Sequence, residues 1–330
     1  MLYLYRRAGS QGARDVVESL QELGVNSRRL NDLQKAHFGQ GVRSGDHVIF
    51  WGEGGVTLPQ GVIALNNVAI RTKYQDAVTL REAGVPTIQV ALTRPAAERP
   101  QLIQVDTFPT QAERVKALVD TFGDAQWARG PVFRDASNEI IRELTALSYL
   151  GMQPIPQAPV TPVFEWLGRR NNHVGGTDLL RPSTQPDYYS RKEDIVREFR
   201  IHSFKGRSIR AGQKAHRTTG LTGAPHTWIR SYDAGWFLNY ENFESGEEMR
   251  ELAKQAVRAL GLDFGAVDIG QLRNGNLIVL EVNRAAGSEG GTSNAYASAI
   301  NRWIQGEFNE ARQGSRRRTG TAVAAARRAA

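Results

Sequence analysis

The stretch from Gly261 to Gly291 constrains the fold of this chain more than any other part of the sequence. Two runs of alternating apolar residues, 264–272 and 276–282, lie on either side of the dipeptide Asn274-Gly275. Asn-Gly accepts the positive φ angles of a tight type I′ turn, and such turns join neighbouring antiparallel strands. The sequence therefore predicts a β-hairpin closed by a type I′ turn.

Three of the oxygen-bearing side chains on this hairpin form a candidate metal site. Asp268 lies in the first strand, and Glu281 and Asn283 lie two residues apart at the end of the second strand, where they share one face. Two carboxylates and an amide oxygen form a hard ligand set that suits Mg²⁺, an ion that usually brings a phosphate with it. The alternative is a surface hairpin with solvated acids. We favour the metal site, because Val267 and Leu280 are among the apolar residues interleaved with the acids, and half-buried carboxylates need cations.

The same residues carry a resemblance to a known family. Asp268, the sequence Leu-Glu-Val-Asn at 280–283 and the small-residue loop with Gly287 resemble the C-terminal signature of the ATP-grasp superfamily. Its members include carboxylate–amine ligases of the D-alanine–D-alanine ligase and glutathione synthetase type. The resemblance implies that Asp268, Glu281 and Asn283 hold two Mg²⁺ ions against the phosphates of ATP, with Mn²⁺ as an alternative metal.

The order of elements along the chain agrees with this family. We expect an α/β chain whose nucleotide-binding part is α+β: an ATP-grasp fold preceded by a small parallel-sheet α/β domain. Strand and helix patterns predict that N-terminal domain at 1–65. The ATP-grasp domain, in two subdomains, is expected at 66–305, with an insertion at about 94–160 that holds amphipathic helices. Residues 306–330 form a basic Ala/Arg-rich tail, which we expect to be disordered.

A helix is predicted from about 70 to 83, stopped by Gly84 and followed by Val85-Pro86. This segment resembles the entry into the ATP-binding domain of the family. The resemblance implies that the ammonium of Lys73 contacts an ATP phosphate. From the local sequence alone, Lys73 would be a solvated helix lysine.

A polar turn with glycines follows a strand that ends at Arg169 and Arg170, and a further short strand is expected after it. Glycine lets backbone N–H groups approach phosphate closely, and a basic side chain supplies charge. The resemblance implies that Gly175 and Gly176 belong to a loop that folds over the phosphates of ATP. Arginine stands where a lysine is usual; we expect Arg170 to face ATP because it is nearer the glycines, with Arg169 as the alternative.

Polar residues in the next strands complete the predicted ATP site. Glu198 and Arg200 lie at i and i+2 of a strand, and they resemble an acid-x-Arg motif in which the acid binds ribose and the arginine faces phosphate. The alternative is an ion pair on a solvated face. Lys214 is within reach of the same region. Arg230, in an expected hairpin over 226–240 that turns near 233–235, is the candidate to steady phosphate or an acyl phosphate.

The resemblance implies a reaction in two steps. A substrate carboxylate attacks the γ-phosphate of ATP, and an amine then displaces phosphate from the acyl phosphate to form an amide, with Arg200 and Arg230 as catalytic residues. Arg284, Gly287 and Ser288 lie next to the metal ligands and are the candidates to bind the carboxylate substrate. Small carboxylate and amine substrates, such as amino acids or peptides, are expected; the oligomeric state is not predicted.

Composition limits the other classes. The chain of 330 residues has no cysteine, which excludes disulfides, thiolate metal sites and a cysteine nucleophile and fits the cytoplasm. No apolar run approaches the roughly 20 residues that cross a bilayer, so no membrane partner is expected. The chain also resembles ligase-like proteins of tailed phages, for which the compartment would be the host cytoplasm.

The basic charge is concentrated in one segment. Residues 311–330 hold six arginines and no acid, so that without them the net charge falls from +8 to +2. Such a tail allows weak contact with nucleic acid. Two alternatives to a ligase therefore stay open: a non-catalytic ATP-binding protein of the same fold, and an enzyme that modifies a macromolecule guided by this tail.

Overall fold

The computed structural model of the protein describes residues 1–6, 10–37, 39–95, 165–171, 177–180, 183–217, 228–241, 243–287 and 291–308. These residues belong to two compact units. The first joins residues 1–88 with the described residues from 195 onwards, and the second contains the described residues between 89 and 194 outside 174–176. No helix within the described ranges has both the length and the apolar character that a membrane crossing requires.

The N-terminal part of the first unit is a parallel sheet with one long helix. Its elements are β1 (Leu2–Tyr5), α1 (Gln11–Glu22), β2 (Ser27–Leu30), a 3₁₀ turn (Leu33–Lys35), β3 (His47–Phe50) and β4 (Ile63–Leu65). The strand order is β2-β1-β3-β4 and every pairing is parallel. Ser10 caps α1 by accepting a hydrogen bond from the backbone N–H of Ala13, as expected for a serine at this position. The strands and helix predicted for residues 1–65 are confirmed.

The remaining elements divide between the two units. They are α2 (Lys73–Glu82), β5 (Val90–Ala91), β6 (Trp166–Arg169), α3 (Thr177–Leu180), β7 (Tyr188–Arg191), β8 (Ile195–Phe204), β9 (Arg207–His216), β10 (Trp236–Asn239), α4 (Glu247–Ala259), β11 (Phe264–Leu272), β12 (Leu277–Asn283) and α5 (Thr292–Ile304). In the second unit β5, β7 and β6 form a three-stranded antiparallel sheet. In the first unit β10, β9, β8, β11 and β12 form a five-stranded antiparallel sheet in that order.

The two faces of the five-stranded sheet have different partners. One face packs against α4 and α2 in a core that contains Phe199, Ile201, Val267 and Leu252. On the other face, Phe204 and Phe264 share a second core with β1, α1, β3 and α5 of the same unit. This second core means that the N-terminal sheet, predicted as a domain, is continuous with the C-terminal half of the chain.

Asn66 fixes this junction at the predicted domain boundary. It is 2% exposed and has a positive φ of 56°. Its side-chain oxygen accepts hydrogen bonds from the backbone N–H groups of Asp263 and Phe264, and its amide nitrogen donates to the Phe264 carbonyl. Asparagine tolerates the left-handed region because its side chain can hydrogen-bond backbone groups. The end of β4 is thereby attached to the start of β11.

One turn prediction needs correction. The β11–β12 hairpin is confirmed, but its type I′ turn is wrong: Gly275 has a φ of +89°, whereas Asn274 is not among the described residues with positive φ. The hydrogen bonds from Gly275 N–H to Leu272 O and from Leu272 N–H to Asn276 O fit a three-residue loop with a single left-handed residue. At the β8–β9 turn both Lys205 and Gly206 have positive φ, as a type I′ turn requires.

Three element predictions are also wrong in part. The helix expected from about 70 begins at Lys73, because Thr72 and Gln75 form a reciprocal capping box that starts it there. The segment after the glycines at 175–176 is the helical turn α3 and not a strand. In the hairpin expected over 226–240, β10 is a strand, but it pairs with β9, since residues 228–231 are not in a strand.

Candidate active site

The three predicted metal ligands lie together at one end of the β11–β12 hairpin. Strand register places Asp268 directly opposite Glu281, with a β-bulge immediately after Asp268. The amide nitrogen of Asn283 donates to Glu281 Oε1 at 2.9 Å and to Asp268 Oδ2 at 3.4 Å. Since Glu281 and Asn283 are two residues apart on a strand, they face the same side, as the sequence predicted.

Each carboxylate of this cluster forms an ion pair with a basic side chain. Arg200 lies opposite Asp268 in the β8–β11 register and binds it through two parallel hydrogen bonds, of 2.6 Å from Nε and 2.8 Å from Nη2. Lys73 Nζ donates to Glu281 Oε2 at 2.8 Å. The capping box at the start of α2 places Lys73 on the first helical residue, from which its side chain reaches β12. The cluster is a chain of alternating charges that joins β8, α2, β11 and β12.

The charges of the cluster stabilise one another. Burial would raise the pKa of Glu281, but Lys73, the Asn283 amide and Arg200 together hold that pKa well below its usual value. Burial likewise opposes the charge of Arg200, while the adjacent Asp268 carboxylate raises the pKa of its guanidinium above the usual value. Glu281 and Arg200 are therefore both ionised at neutral pH.

A second cluster lies further along the same face of β8. Glu198, 8% exposed, forms ion pairs with Lys214 Nζ at 2.8 Å and with Arg230 Nη1 at 3.2 Å. Arg230 also donates to the Ile195 carbonyl at 2.7 Å, and its guanidinium lies over the ring of Trp236. The structure thus brings Glu198, Lys214 and Arg230 together in a buried cation-rich cluster, which rules out the solvated ion pair that the sequence left open.

His202 adds a buried neutral group beside Arg200 that sequence analysis missed. It is 1% exposed, and its ring nitrogens lie 3.3 Å from the Tyr296 hydroxyl and 3.1 Å from the Tyr240 hydroxyl. Burial first, and then the charges of Arg200 and Arg210, lower the pKa of His202 to about 3. The sequence could have placed His202 at this site, because Glu198, Arg200 and His202 alternate along one strand and so lie on the same face.

Comparison with known proteins identifies the fold. No protein-family model matches the sequence, and no curated protein matches it either. The fold is similar to that of the ATP-grasp ligase PsnB complexed with a minimal precursor, with 12% identity, coverage of 91% of this chain and 97% of that chain, and a TM-score of 0.51. A structure of PsnB with a phosphomimetic variant of the minimal precursor, Mg and ADP gives 13% identity, the same coverage and a TM-score of 0.50. The chain has the ATP-grasp fold.

A further structure of lower similarity is D-cycloserine synthetase DcsG. It is 15% identical over 91% of this chain and 98% of that chain, with a TM-score of 0.46. The ATP-grasp assignment depends on the two PsnB structures, and at these identities it concerns the fold alone. The mixed α/β architecture expected from the sequence is confirmed.

Within the ATP-grasp fold, Arg284 has an unexpected position. Its Nη2 pairs with Asp76 Oδ1 at 3.0 Å, its Nη1 donates to the Ala69 carbonyl at 2.9 Å, and its side chain is 9% exposed. Burial raises the pKa of Asp76, although Arg284 acts in the opposite direction. Arg284 therefore joins the end of β12 to α2.

Of the other substrate-binding candidates, Gly287 is described, whereas Ser288 lies outside the described residues.

The predicted phosphate loop is described in part, within the second unit. Arg169 is directed at the buried carboxylate of Asp178, with an Nε to Oδ2 distance of 2.8 Å. Arg170 is half exposed and lies 3.6 Å from Asp187. This difference favours Arg170 as the arginine that can meet a ligand. Gly175 and Gly176 lie outside the described residues, as does the predicted insertion apart from residues 94–95.

The donor set at the hairpin fits Mg²⁺. Among the described residues no group of three His, Cys, Asp or Glu side chains could hold a metal ion, so the candidate consists of two carboxylates and one amide. Mg²⁺ is commonly held by one or two carboxylates, with water and phosphate oxygens as its other ligands. The Asn283 nitrogen faces both acids. A half-turn of this amide would present its oxygen to a metal ion in the same place.

Proposed function

We propose that the chain is an ATP- and Mg²⁺-dependent carboxylate–amine ligase, which forms an amide bond through an acyl phosphate and releases ADP and phosphate. The observation that carries this proposal is the Asp268–Glu281–Asn283 cluster with Arg200 and Lys73 directly on its carboxylates, in a chain with the ATP-grasp fold. A metal–triphosphate complex requires hard oxygen ligands for the metal ion and cationic side chains for the phosphates, and this cluster contains both.

The paired cations define how the site would receive ATP. Arg200 and Lys73 neutralise Asp268 and Glu281 in the absence of ligand. Asp268 and Glu281 would hold Mg²⁺, whose charge would offset that of the ATP phosphates, and Arg200 and Lys73 would then be available to phosphate oxygens. Arginine offers phosphate two parallel hydrogen bonds and lysine a point charge. Binding of Mg²⁺-ATP would therefore replace the carboxylate partners of Arg200 and Lys73 with phosphate oxygens.

The reaction itself needs positioning more than proton transfer. A carboxylate oxygen of the donor attacks the γ-phosphorus, and the bond to the ADP oxygen breaks. The amine nitrogen then attacks the acyl carbon, phosphate leaves with the bonding electron pair, and the nitrogen loses a proton to solvent. Arg200 and Arg230 stabilise the charge on the transferred phosphoryl group. Glu198 holds Arg230 and Lys214 in place for this role.

Amino acids or peptides are the proposed substrates. The peptide option is supported by the similarity to PsnB, whose structures are described as complexes with a precursor or a variant of it. A ligase of this type needs one carboxylate and one amine. Both groups occur in every unblocked amino acid and peptide.

The test is ADP release by the purified protein with Mg²⁺-ATP and pools of amino acids and short peptides. Glu281→Gln is the matched variant, because it keeps the size of the side chain and removes its charge. We expect ADP release that needs both an acid and an amine and that falls at least about a hundredfold in the variant. Mg²⁺-ATP binding without stimulated turnover by any pool would oppose the ligase and favour a binding protein. Absence of nucleotide binding would reject the proposal entirely.

A further inference from the structure

Two ion pairs connect the start of α2 to the end of β12. Lys73 Nζ lies 2.8 Å from Glu281 Oε2. One helical turn further along α2, Asp76 Oδ1 lies 3.0 Å from Nη2 of Arg284, which directly follows β12. The helix supplies the cation of the first pair and the anion of the second. A shift of α2 by one turn along β12 would bring like charges together, so the two pairs fix the position of the helix.

The two pairs differ in how far solvent reaches them. The side chains of Lys73 and Glu281 are 29% and 31% exposed. Those of Arg284 and Asp76 are only 9% and 15% exposed. An exposed ion pair contributes little to stability, whereas separating a largely buried pair leaves poorly solvated charges. The first pair is therefore the one that a ligand can reach and replace, and the second pair is the one that persists.

Arg284 holds the start of α2 on both sides of Lys73. Its Nη2 binds Asp76, three residues after Lys73. Its Nη1 donates to the carbonyl of Ala69, four residues before Lys73, at 2.9 Å. The planar guanidinium offers donors in fixed directions, so one arginine can make both contacts. The backbone of Lys73 is thus held beside the metal-ligand cluster without help from its own side chain.

We infer that Asp76 and Arg284 are positioning residues, whose ion pair keeps Lys73 at the ATP site after a metal ion has replaced it on Glu281. The inference rests on the proposed ligase function, in which Glu281 holds Mg²⁺ and Lys73 contacts a phosphate. Without the pair, loss of the contact between Lys73 and Glu281 would also release the start of α2. With the pair, only the side chain of Lys73 has to move, and a backbone fixed in advance lowers the entropy lost on binding.

The first measurement needs no ligand. Hydrogen–deuterium exchange of the α2 amides in the full-length protein is compared between Lys73→Met and the double variant Asp76→Asn/Arg284→Met, which removes both charges of the pair together. We expect exchange to rise less than about twofold in Lys73→Met and about tenfold in the double variant, since only the latter loses the pair that holds α2. Arg81→Met/Glu82→Gln makes matching changes at exposed positions of α2 and should exchange like the unaltered protein.

The second measurement is calorimetry of Mg²⁺-ATP binding without an acid or an amine. The double variant should bind about tenfold more weakly than the unaltered protein. The same two changes made in Lys73→Met should alter the affinity less than about twofold, because no ammonium is left to position. A purely structural role would weaken binding equally in the presence and absence of Lys73.

Exchange in Lys73→Met as fast as in the double variant would overturn the inference, as would equal losses of affinity with and without Lys73. Unchanged Mg²⁺-ATP affinity in the double variant would also overturn it, and would leave substrate binding as the role predicted for Arg284. These outcomes are distinguishable from failure of the ligase proposal. In that case the unaltered protein binds no Mg²⁺-ATP, while the exchange measurement still shows whether the pair holds α2.

Discussion

At the scale of single residues, the proposed metal site predicts that Lys73 and a metal ion compete for the carboxylate of Glu281. Lys73 Nζ is 2.8 Å from Glu281 Oε2, and both side chains are about one-third exposed. Lys73→Met should therefore raise the affinity for Mn²⁺ in the absence of nucleotide by about tenfold, because Glu281 loses its cation. The same substitution should weaken Mg²⁺-ATP binding, since the proposed contact of Lys73 with an ATP phosphate is lost. Electron paramagnetic resonance of bound Mn²⁺ and calorimetry of ATP binding measure the two effects.

The control for this prediction is Lys254→Met, which removes a surface ion pair with Glu251 on α4. It should leave both affinities unchanged. A fall in both affinities in Lys73→Met would contradict the competition. The prediction is that the affinity for Mn²⁺ rises while the affinity for Mg²⁺-ATP falls. General damage to the site would lower both affinities.

His202 makes stability depend on pH. Its pKa in the folded protein is about 3 because of burial and the charges of Arg200 and Arg210, whereas an unfolded histidine titrates near 6.5. The unfolded chain therefore binds the extra proton between these values, so the contribution is fully present above pH 6.5 and is lost as the pH falls towards 3. Between pH 6 and 4.5 the free energy of unfolding should fall by about 2 kcal/mol from this residue.

The variant for this measurement is His202→Gln, which keeps polar atoms beside Tyr240 and Tyr296 but does not titrate. Urea unfolding of both proteins at pH 6 and at pH 4.5 gives the change in the free energy of unfolding of each between these two pH values. The unaltered protein should lose about 2 kcal/mol more than the variant over this interval. Equal losses would show that His202 is not the group responsible.

At the scale of elements, the hairpin turn offers a direct test of its geometry. A three-residue loop needs a left-handed residue at Gly275 alone, whereas a type I′ turn would need one at Asn274 as well. Gly275→Ala should cost about 1 kcal/mol of stability. Asn274→Ala should cost less than about half of that, because it removes an exposed hydrogen bond to the Asn276 N–H and no backbone strain is added. Thermal unfolding of both variants measures these losses of stability. Equal losses would contradict the three-residue loop and favour a type I′ turn.

The elements themselves were predictable where local pattern determines them. Alternation predicted β8, β11 and β12, and helical spacing predicted the helix of the N-terminal region, α1. The turn type was not predictable, because Asn-Gly is compatible with two loop lengths and the choice follows from strand register. The helical turn α3 was missed because a four-residue element is too short to show a period.

The candidate site was predictable to the extent that its residues share one strand or one hairpin. Asp268, Glu281 and Asn283 were placed together by strand alternation and hairpin pairing alone. The cations on them were not, since Lys73 is 208 residues from Glu281 and its contact depends on how α2 packs against β12. The ion pair of Arg284 with Asp76, on α2, was not predictable for the same reason, and the assignment of Arg284 to substrate stays a prediction.

At the scale of the whole molecule, the N-terminal sheet depends on distant parts of the chain. Leu4, Leu20 and Trp51 share a core with Phe264 and Tyr296. A fragment of residues 1–65 should therefore expose one face of its core and fail to fold cooperatively. Circular dichroism during urea titration of this fragment checks the expectation. A sigmoidal transition with native-like helix content would contradict it, and the intact protein is the control.

The contact between α1 and α5 has a consequence for how the protein is made. Ser19 donates a hydrogen bond of 2.8 Å to Asn294, 275 residues further along the chain. At about 5–20 residues per second, a ribosome needs roughly 14–55 s to synthesise that interval, during which the apolar side of α1 and the first strands has no partner. We therefore expect α1 and the first strands to need protection by ribosome-associated chaperones until α5 has been synthesised, and codon changes that slow translation between them should lower the yield of active protein without altering any residue.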